Sequence, residues 1–131
     1  MTTLEPGLTA QVTLVVGPGD TATAFASGAV EVLATPRLIG LLEQAAALAA
    51  QPALAEDQTT VGTRVDMRHL AATPIGMRVT ASAELLEVDE RRLRFRIQAH
   101  DERELVAEGT HERAIVNRAR FLERVAQKAR S

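Results

Sequence analysis

Glu43 is the residue that first asks for a chemical explanation. It stands in residues 36–50, a run of Leu, Ala and Ile with few polar interruptions. Ala and Leu are strong helix formers, and a helix apolar on nearly all sides is buried on most of them. A carboxylate in such surroundings costs free energy unless it is used or paired. In a pocket, desolvation raises its pKa toward the range of a general base; on an exposed stripe it is an ordinary solvated Glu. Thr35, just before Pro36, reads as a helix cap, because Thr caps well and Pro suits the first helical position. A hydroxyl there also lies beside the positive end of the helix dipole. Thr35 and Glu43 are eight residues apart, a rise of about 12 Å along a helix. They cannot easily grip one atom from one chain. Either His69 or a water spans the gap, or the two act from different subunits.

The other candidates are plainer. His69 ends an alternating strand, His100 falls at a hairpin, and His111 stands in a strand beside Glu112 and Arg113. A lone His is more often structural than catalytic, and His100 and His111 have no chemical companions. Gly62 in a strand marks a bulge or a close backbone approach. Arg113 reads as the partner of Glu112 on a solvated strand face. No His, Asp and Glu fall at metal-ligand spacing, so no metal is expected. There is no Cys, which excludes disulfides, zinc thiolates and a thiol nucleophile.

The elements that must position these residues follow from periodicity. Residues 8–16 alternate as a strand and are stopped by Gly17-Pro18-Gly19-Asp20; 21–34 read as a loop with a short strand near 30–33. The apolar helix follows and ends at Gln51-Pro52. In 60–69, Val61, Thr63, Val65 and Met67 share one face, with Arg64, Asp66 and Arg68 on the other. Strands over 77–88, 93–99 and 104–116, joined by tight turns, form an antiparallel meander. Its charged face, with Arg92, Arg94 and Arg96, meets solvent. Its apolar face must cover something, and the Ala-rich helix is the only candidate. Residues 118–130 form a short amphipathic tail helix. The fold class is therefore α+β: a curved antiparallel sheet wrapped around one apolar helix, the hot-dog arrangement, over a single domain of residues 1–131. Such a sheet leaves edges, so a homodimer or a dimer of dimers is expected.

Composition excludes several functions. The net charge of −2 leaves no electrostatic footprint for nucleic acid. Only Phe25, Phe95 and Phe121 carry aromatic rings, too few for base stacking. The helix of 36–50 is too short, and Glu43 too central, to span a membrane. The first residues lack a basic start and an apolar run, so a cytoplasmic location is expected.

Four segments together resemble the fluoroacetyl-CoA thioesterase group of the hot-dog superfamily. They are Ala34-Thr35 with Gly40-Leu41-Leu42-Glu43; Val61-Gly62-Thr63 with His69; Pro74-Ile75-Gly76-Met77-Arg78-Val79-Thr80-Ala81-Ser82-Ala83-Glu84-Leu85 leading into Arg91-Arg92-Leu93; and Gly109-Thr110-His111-Glu112-Arg113-Ala114. The resemblance implies a thioesterase with Thr35, Glu43 and His69 as its catalytic set and Gly62 and Arg113 as substrate-binding positions. Its substrate would be an acyl-CoA thioester, with no cofactor besides. In that setting the Gly62 N–H helps hold a thioester carbonyl oxygen, and Arg113 holds a pantetheine amide or a phosphate. Two rival functions share the fold: an enoyl-CoA hydratase and a non-catalytic acyl-CoA binding module. Before Thr35 the only ring is Phe25, which favours a general short- or medium-chain acyl group over a fluorinated one.

Overall fold

The computed structural model describes residues 2–131. Its elements are β1 (Thr9–Val15), α1 (Thr35–Ala50), β2 (Gln58–His69), β3 (Arg78–Asp89), β4 (Arg92–Asp101), β5 (Leu105–Asn117) and α2 (Arg118–Arg130), with one-turn 3-10 segments at Pro18–Asp20 and Gln51–Ala53. The strands form one antiparallel sheet in the order β1-β3-β4-β5-β2. The short strand expected near 30–33 is reduced to two isolated bridges, Thr21 with Leu33 and Val32 with Pro74. Among the described residues no helix is long and apolar enough to cross a membrane.

The period-two pattern decides which face is buried. Val79, Ala81, Ala83 and Leu85 on β3 and Leu93, Phe95, Ile97 and Ala99 on β4 are almost fully buried. Arg92, Arg94 and Arg96 between them are exposed, as alternation requires. Onto the buried face packs α1, mainly across β3 and β1. It buries Leu38, Leu41 and Leu42 with Ala45, Ala46, Ala49 and Ala50. Each buried Leu contributes about 1.5–3 kcal/mol, and the alanines let the helix axis lie close to the sheet. The helix is not enclosed on every side. Pro36, Gln44 and Leu48 are exposed, and Glu43 sits at the margin of that stripe.

Strand β2 carries the departure that matters for the site. Gly62 pairs with Arg113, but Arg64 pairs with Glu112, leaving Thr63 as an extra residue. This is a β-bulge. It breaks the expected alternation: Thr60 and Gly62 face inward before it, and Val65, Met67 and His69 pair with the inward-facing His111, Gly109 and Ala107 after it. Val61 and Thr63 therefore do not share a face with Val65 and Met67. Among the described residues one long edge of β2 has no neighbouring strand, and Val65 is still 37% exposed although it belongs to the inner face.

Gly109 holds β5 close to β2. A Cβ there would overlap the Asp66 carbonyl oxygen and lie 2.7 Å from the Met67 Cα. Both obstacles are backbone and cannot swing aside. Gly109→Ala should therefore destabilise the fold by about 1–3 kcal/mol, read as a lower denaturation midpoint by circular dichroism. An unchanged midpoint would show slack between these two strands.

Candidate active site

Thr35 is not a cap. Ala34 occupies the cap position with extended backbone, and no side chain caps α1. The Thr35 hydroxyl instead meets His69 Nδ1 at 2.7 Å. This contact ties the first residue of α1 to the last residue of β2. On the far side of the ring, Nε2 is buried and has no well-formed hydrogen-bond partner. Burial holds the His69 pKa below the usual imidazole value, opposed by a hydrogen bond with the Ala71 backbone. Burial therefore favours the neutral ring. With its proton on Nε2, Nδ1 accepts from the Thr35 hydroxyl, the arrangement of a nucleophile or polarising hydroxyl beside a base. Beside the pair opens a cleft of about 400 Å³, walled by Val30, Val32, Leu33, Leu70 and Ala71.

The start of α1 is fixed independently. Asp20 accepts hydrogen bonds from the Gly17 N–H at 2.8 Å and from Arg37 Nε at 2.9 Å. These bonds hold its carboxyl below the usual carboxylate range. The Ala34 N–H donates to the Asp20 carbonyl at 2.9 Å, and Ala22 N–H to Val32 O at the same distance. The loop between these residues thus has both ends joined directly below the helix start.

Glu43, Gly62 and Arg113 form a second cluster. Glu43 Oε2 lies 3.7 Å from Arg113 Nη1. A Cβ on Gly62 would stand 2.6 Å from that carboxylate oxygen, so the absent side chain is what lets Glu43 lie over β2. The Glu43 side chain is 41% exposed, so this chain alone does not give it the enclosed pocket expected of a desolvated base. Arg113 does not lie on the solvated face with Glu112. It points inward and is only 7% exposed, while Glu112 faces Arg64 on the outer side at 3.9 Å. Arg113 Nε and Nη2 donate to the side chain and carbonyl of Thr60, at 2.9 and 3.1 Å. Burial draws the guanidinium pKa down, and Glu43 opposes that.

Among the described residues no hydrogen bond or ion pair joins the two clusters, Thr35 with His69 and Glu43 with Gly62 and Arg113. Two of their neighbours were not anticipated. Thr60 holds Arg113, and His111 is buried against it with Nε2 3.2 Å from Nη1. The inward face of β5 reads Ala107, Gly109, His111, Arg113, Ile115 at period two, and that spacing was the available signal. His100 lies outside both groups.

The profile of the fluoroacetyl-CoA-specific thioesterase family matches residues 16–119. The chain belongs to that family. A fluoroacetyl-CoA thioesterase of Streptantibioticus cattleyicolor is 43% identical over 98 residues, 75% of this chain and 70% of that one. A solved structure of the fluoroacetyl-CoA thioesterase FlK superposes with a TM-score of 0.89 at 35% identity, over 97% of this chain and 98% of its own. A Thermus thermophilus protein described as a thioesterase superfamily member follows at 0.87 and 28%, covering 99% and 98%. A hot-dog-like protein of Thermanaerovibrio acidaminovorans gives 0.85 at 25% identity, over 94% and 91%. The sheet wrapped on one central helix is thus the hot-dog fold of this thioesterase family.

His69 and His111 both have pKa values lowered by burial. In the unfolded chain each titrates near 6.5. As pH falls below that value, the unfolded state binds protons that the folded state refuses, so stability is full above about pH 6.5 and declines as pH drops toward the folded values. The urea midpoint should be lower at pH 5 than at pH 8, before carboxylates such as Asp20 begin to protonate. Equal midpoints would mean that neither imidazole is held neutral.

Proposed function

We propose that this protein is an acyl-CoA thioesterase, converting an acyl-CoA and water to a carboxylic acid and CoA. The observation that carries the reading is the 2.7 Å contact between Thr35 and His69 at the edge of an apolar cleft, in a chain of this family. The acyl group enters the cleft. Thr35 and the Gly62 N–H position and polarise the thioester carbonyl. Glu43 acts as general base on water, or attacks the carbonyl itself. The carbonyl carbon gains an oxygen, the C–S bond breaks, and His69 serves as acid–base partner to the departing thiolate. Where Glu43 is the attacking group, water then hydrolyses the acyl–Glu43 anhydride to release the acid and restore the carboxylate. Arg113 holds an amide or phosphate of the CoA arm. The steps call on no metal or cofactor, and we place the protein in the cytoplasm.

We further propose that the active form is a two-fold dimer, paired edge to edge through β2, in which each site draws on both chains. Gly62 and His69 both face inward on β2, and the free edge of that strand leaves inner-face Val65 uncovered. A second copy added antiparallel, with the axis near Val65 or Asp66, sets Gly62 of one chain beside the His69 end of the other. The Glu43 cluster of one copy then approaches the Thr35–His69 pair of its partner. Glu43→Gln should lose most thioesterase turnover while the circular dichroism spectrum is kept, and His69→Ala likewise. Co-expressed, the two inactive variants should regain about a quarter of parent activity, since half the dimers are mixed and each mixed dimer has one intact site. No recovery would place the whole site within one chain.

The cleft walls named above carry no aromatic ring, and Phe25 is 43% exposed and lies outside the lining. Such a wall distinguishes near-isosteres by only about 10–200-fold. We therefore infer a general short- or medium-chain acyl-CoA as substrate. Measured kcat/KM values for fluoroacetyl-CoA, acetyl-CoA and longer acyl-CoAs, read as free thiol, should differ within that range for the first two. A fluoroacetyl preference above roughly a thousandfold, beyond what one apolar pocket supplies, would overturn this.

A further inference from the structure

The geometry points to His111 as a positioning residue: its neutral ring fixes the Arg113 guanidinium over Gly62 and against Glu43. The inference rests on the reading of Arg113 and Glu43 as site residues.

His111 occupies a slot that an apolar residue would fill more cheaply. On the sheet it stands between Val65 of β2 and Phe95 of β4, it is 1% exposed, and its ring centroid is 6.3 Å from that of Phe95. A polar ring there costs free energy unless both nitrogens are satisfied. Both are. Nδ1 lies 2.7 Å from the Arg64 carbonyl oxygen, and Nε2 lies 3.2 Å from Arg113 Nη1. The carbonyl only accepts and the guanidinium only donates. One state of the ring fits: Nδ1 carries the proton and donates to Arg64, while Nε2 is a bare acceptor for Nη1. A protonated ring would turn an N–H and a positive charge toward the guanidinium.

The nitrogen that His111 holds is the one that matters. Arg113 Nε and Nη2 are both engaged by Thr60. Nη1 is the arm directed at Glu43 Oε2, and it lies 3.3 Å from where a Gly62 Cβ would be. Without an acceptor at His111, Thr60 alone anchors the guanidinium and Nη1 keeps only its longer contact with Glu43, so its aim is less sharply fixed. Arg64 is also the first paired residue after the Thr63 bulge, so the imidazole ties the bulge that presents Gly62 to the cation beside it.

Three variants and one spectrum test this. His111→Phe keeps the ring and its packing but removes the acceptor. His111→Gln keeps an amide N–H for Arg64 and a carbonyl oxygen for Nη1. Using the parent protein and free-thiol release, His111→Phe should lower kcat/KM by about tenfold to a hundredfold, the effect of one hydrogen bond to a charged group. His111→Gln should recover much of that. In an Arg113→Lys background, His111→Phe should cause no further loss, because its effect passes through the guanidinium. Losses that multiply in the double variant, or Phe and Gln variants equally impaired, would reduce His111 to core packing and overturn the inference. Nitrogen NMR of the parent imidazole gives a readout independent of activity and of variant folding. A single Nδ1–H tautomer at neutral pH is expected, and an Nε2–H form or a mixture would overturn it. Absence of thioesterase activity in the parent would instead strike the functional reading, leaving the tautomer result to stand or fall alone.

Discussion

A parity constraint on one strand governs the site. Side chains alternate along a β-strand, so two residues an odd number of positions apart fall on opposite faces. Gly62 and His69 are seven apart, yet both must look inward to meet α1. The extra residue at Thr63 reconciles them. Thr63 donates its hydroxyl to the Glu112 carbonyl at 3.1 Å, so the bulge is tied into the neighbouring strand. Remove it, and either the Glu43 cluster or the Thr35–His69 pair loses its strand partner. Everything inward of β2 depends on that single insertion.

The second organising fact is the cation set into a sheet face that is otherwise apolar. Taking a guanidinium out of water costs roughly several kcal/mol, and hydrogen bonds must offset it. Thr60 supplies two acceptors and His111 a third. Glu43 supplies charge at 3.7 Å without a tight hydrogen bond. The cation is therefore anchored by neutral groups, and the carboxylate is left loosely held and 41% exposed. A tighter pair would immobilise Glu43 and occupy its oxygens. This division lets Arg113 be structural and electrostatic at once, while the carboxylate stays open to water.

Much of the fold was legible because its signals are local. Leu93, Phe95, Ile97 and Ala99 alternate without exception, and the Ala and Leu of α1 cannot be mistaken for a strand. The candidate residues could each be singled out from the sequence, but their grouping in space could not. Thr35 before Pro36 carries the local signature of a cap, yet its hydroxyl meets a residue 34 positions away, and no local rule reports that. Arg113 beside Glu112 looks like a surface pair, although the period running through Gly109 and His111 turns it inward. The Thr63 bulge has no signature of its own. Only Gly62 hinted at it, and that hint did not say which residue was extra. The partial exposure of Glu43 follows from how far α1 extends over β2, a tertiary quantity absent from any pattern.

The paired feet of the loop ahead of α1 have an evolutionary meaning. Asp20, Thr21 and Ala22 are joined across to Val32, Leu33 and Ala34, and Arg37 locks the same junction. The segment between is a closed ring standing on a fixed base, with Val30 at the cleft and the helix start below it. Closing a somewhat longer or shorter ring changes the loop entropy only slowly. Its tip can be lengthened, shortened or exchanged while Thr35 stays where it is. The scaffold thus separates a variable wall of the cleft from the fixed Thr35–His69 pair beside it. The shape of the cleft can therefore change by alteration of one interchangeable module.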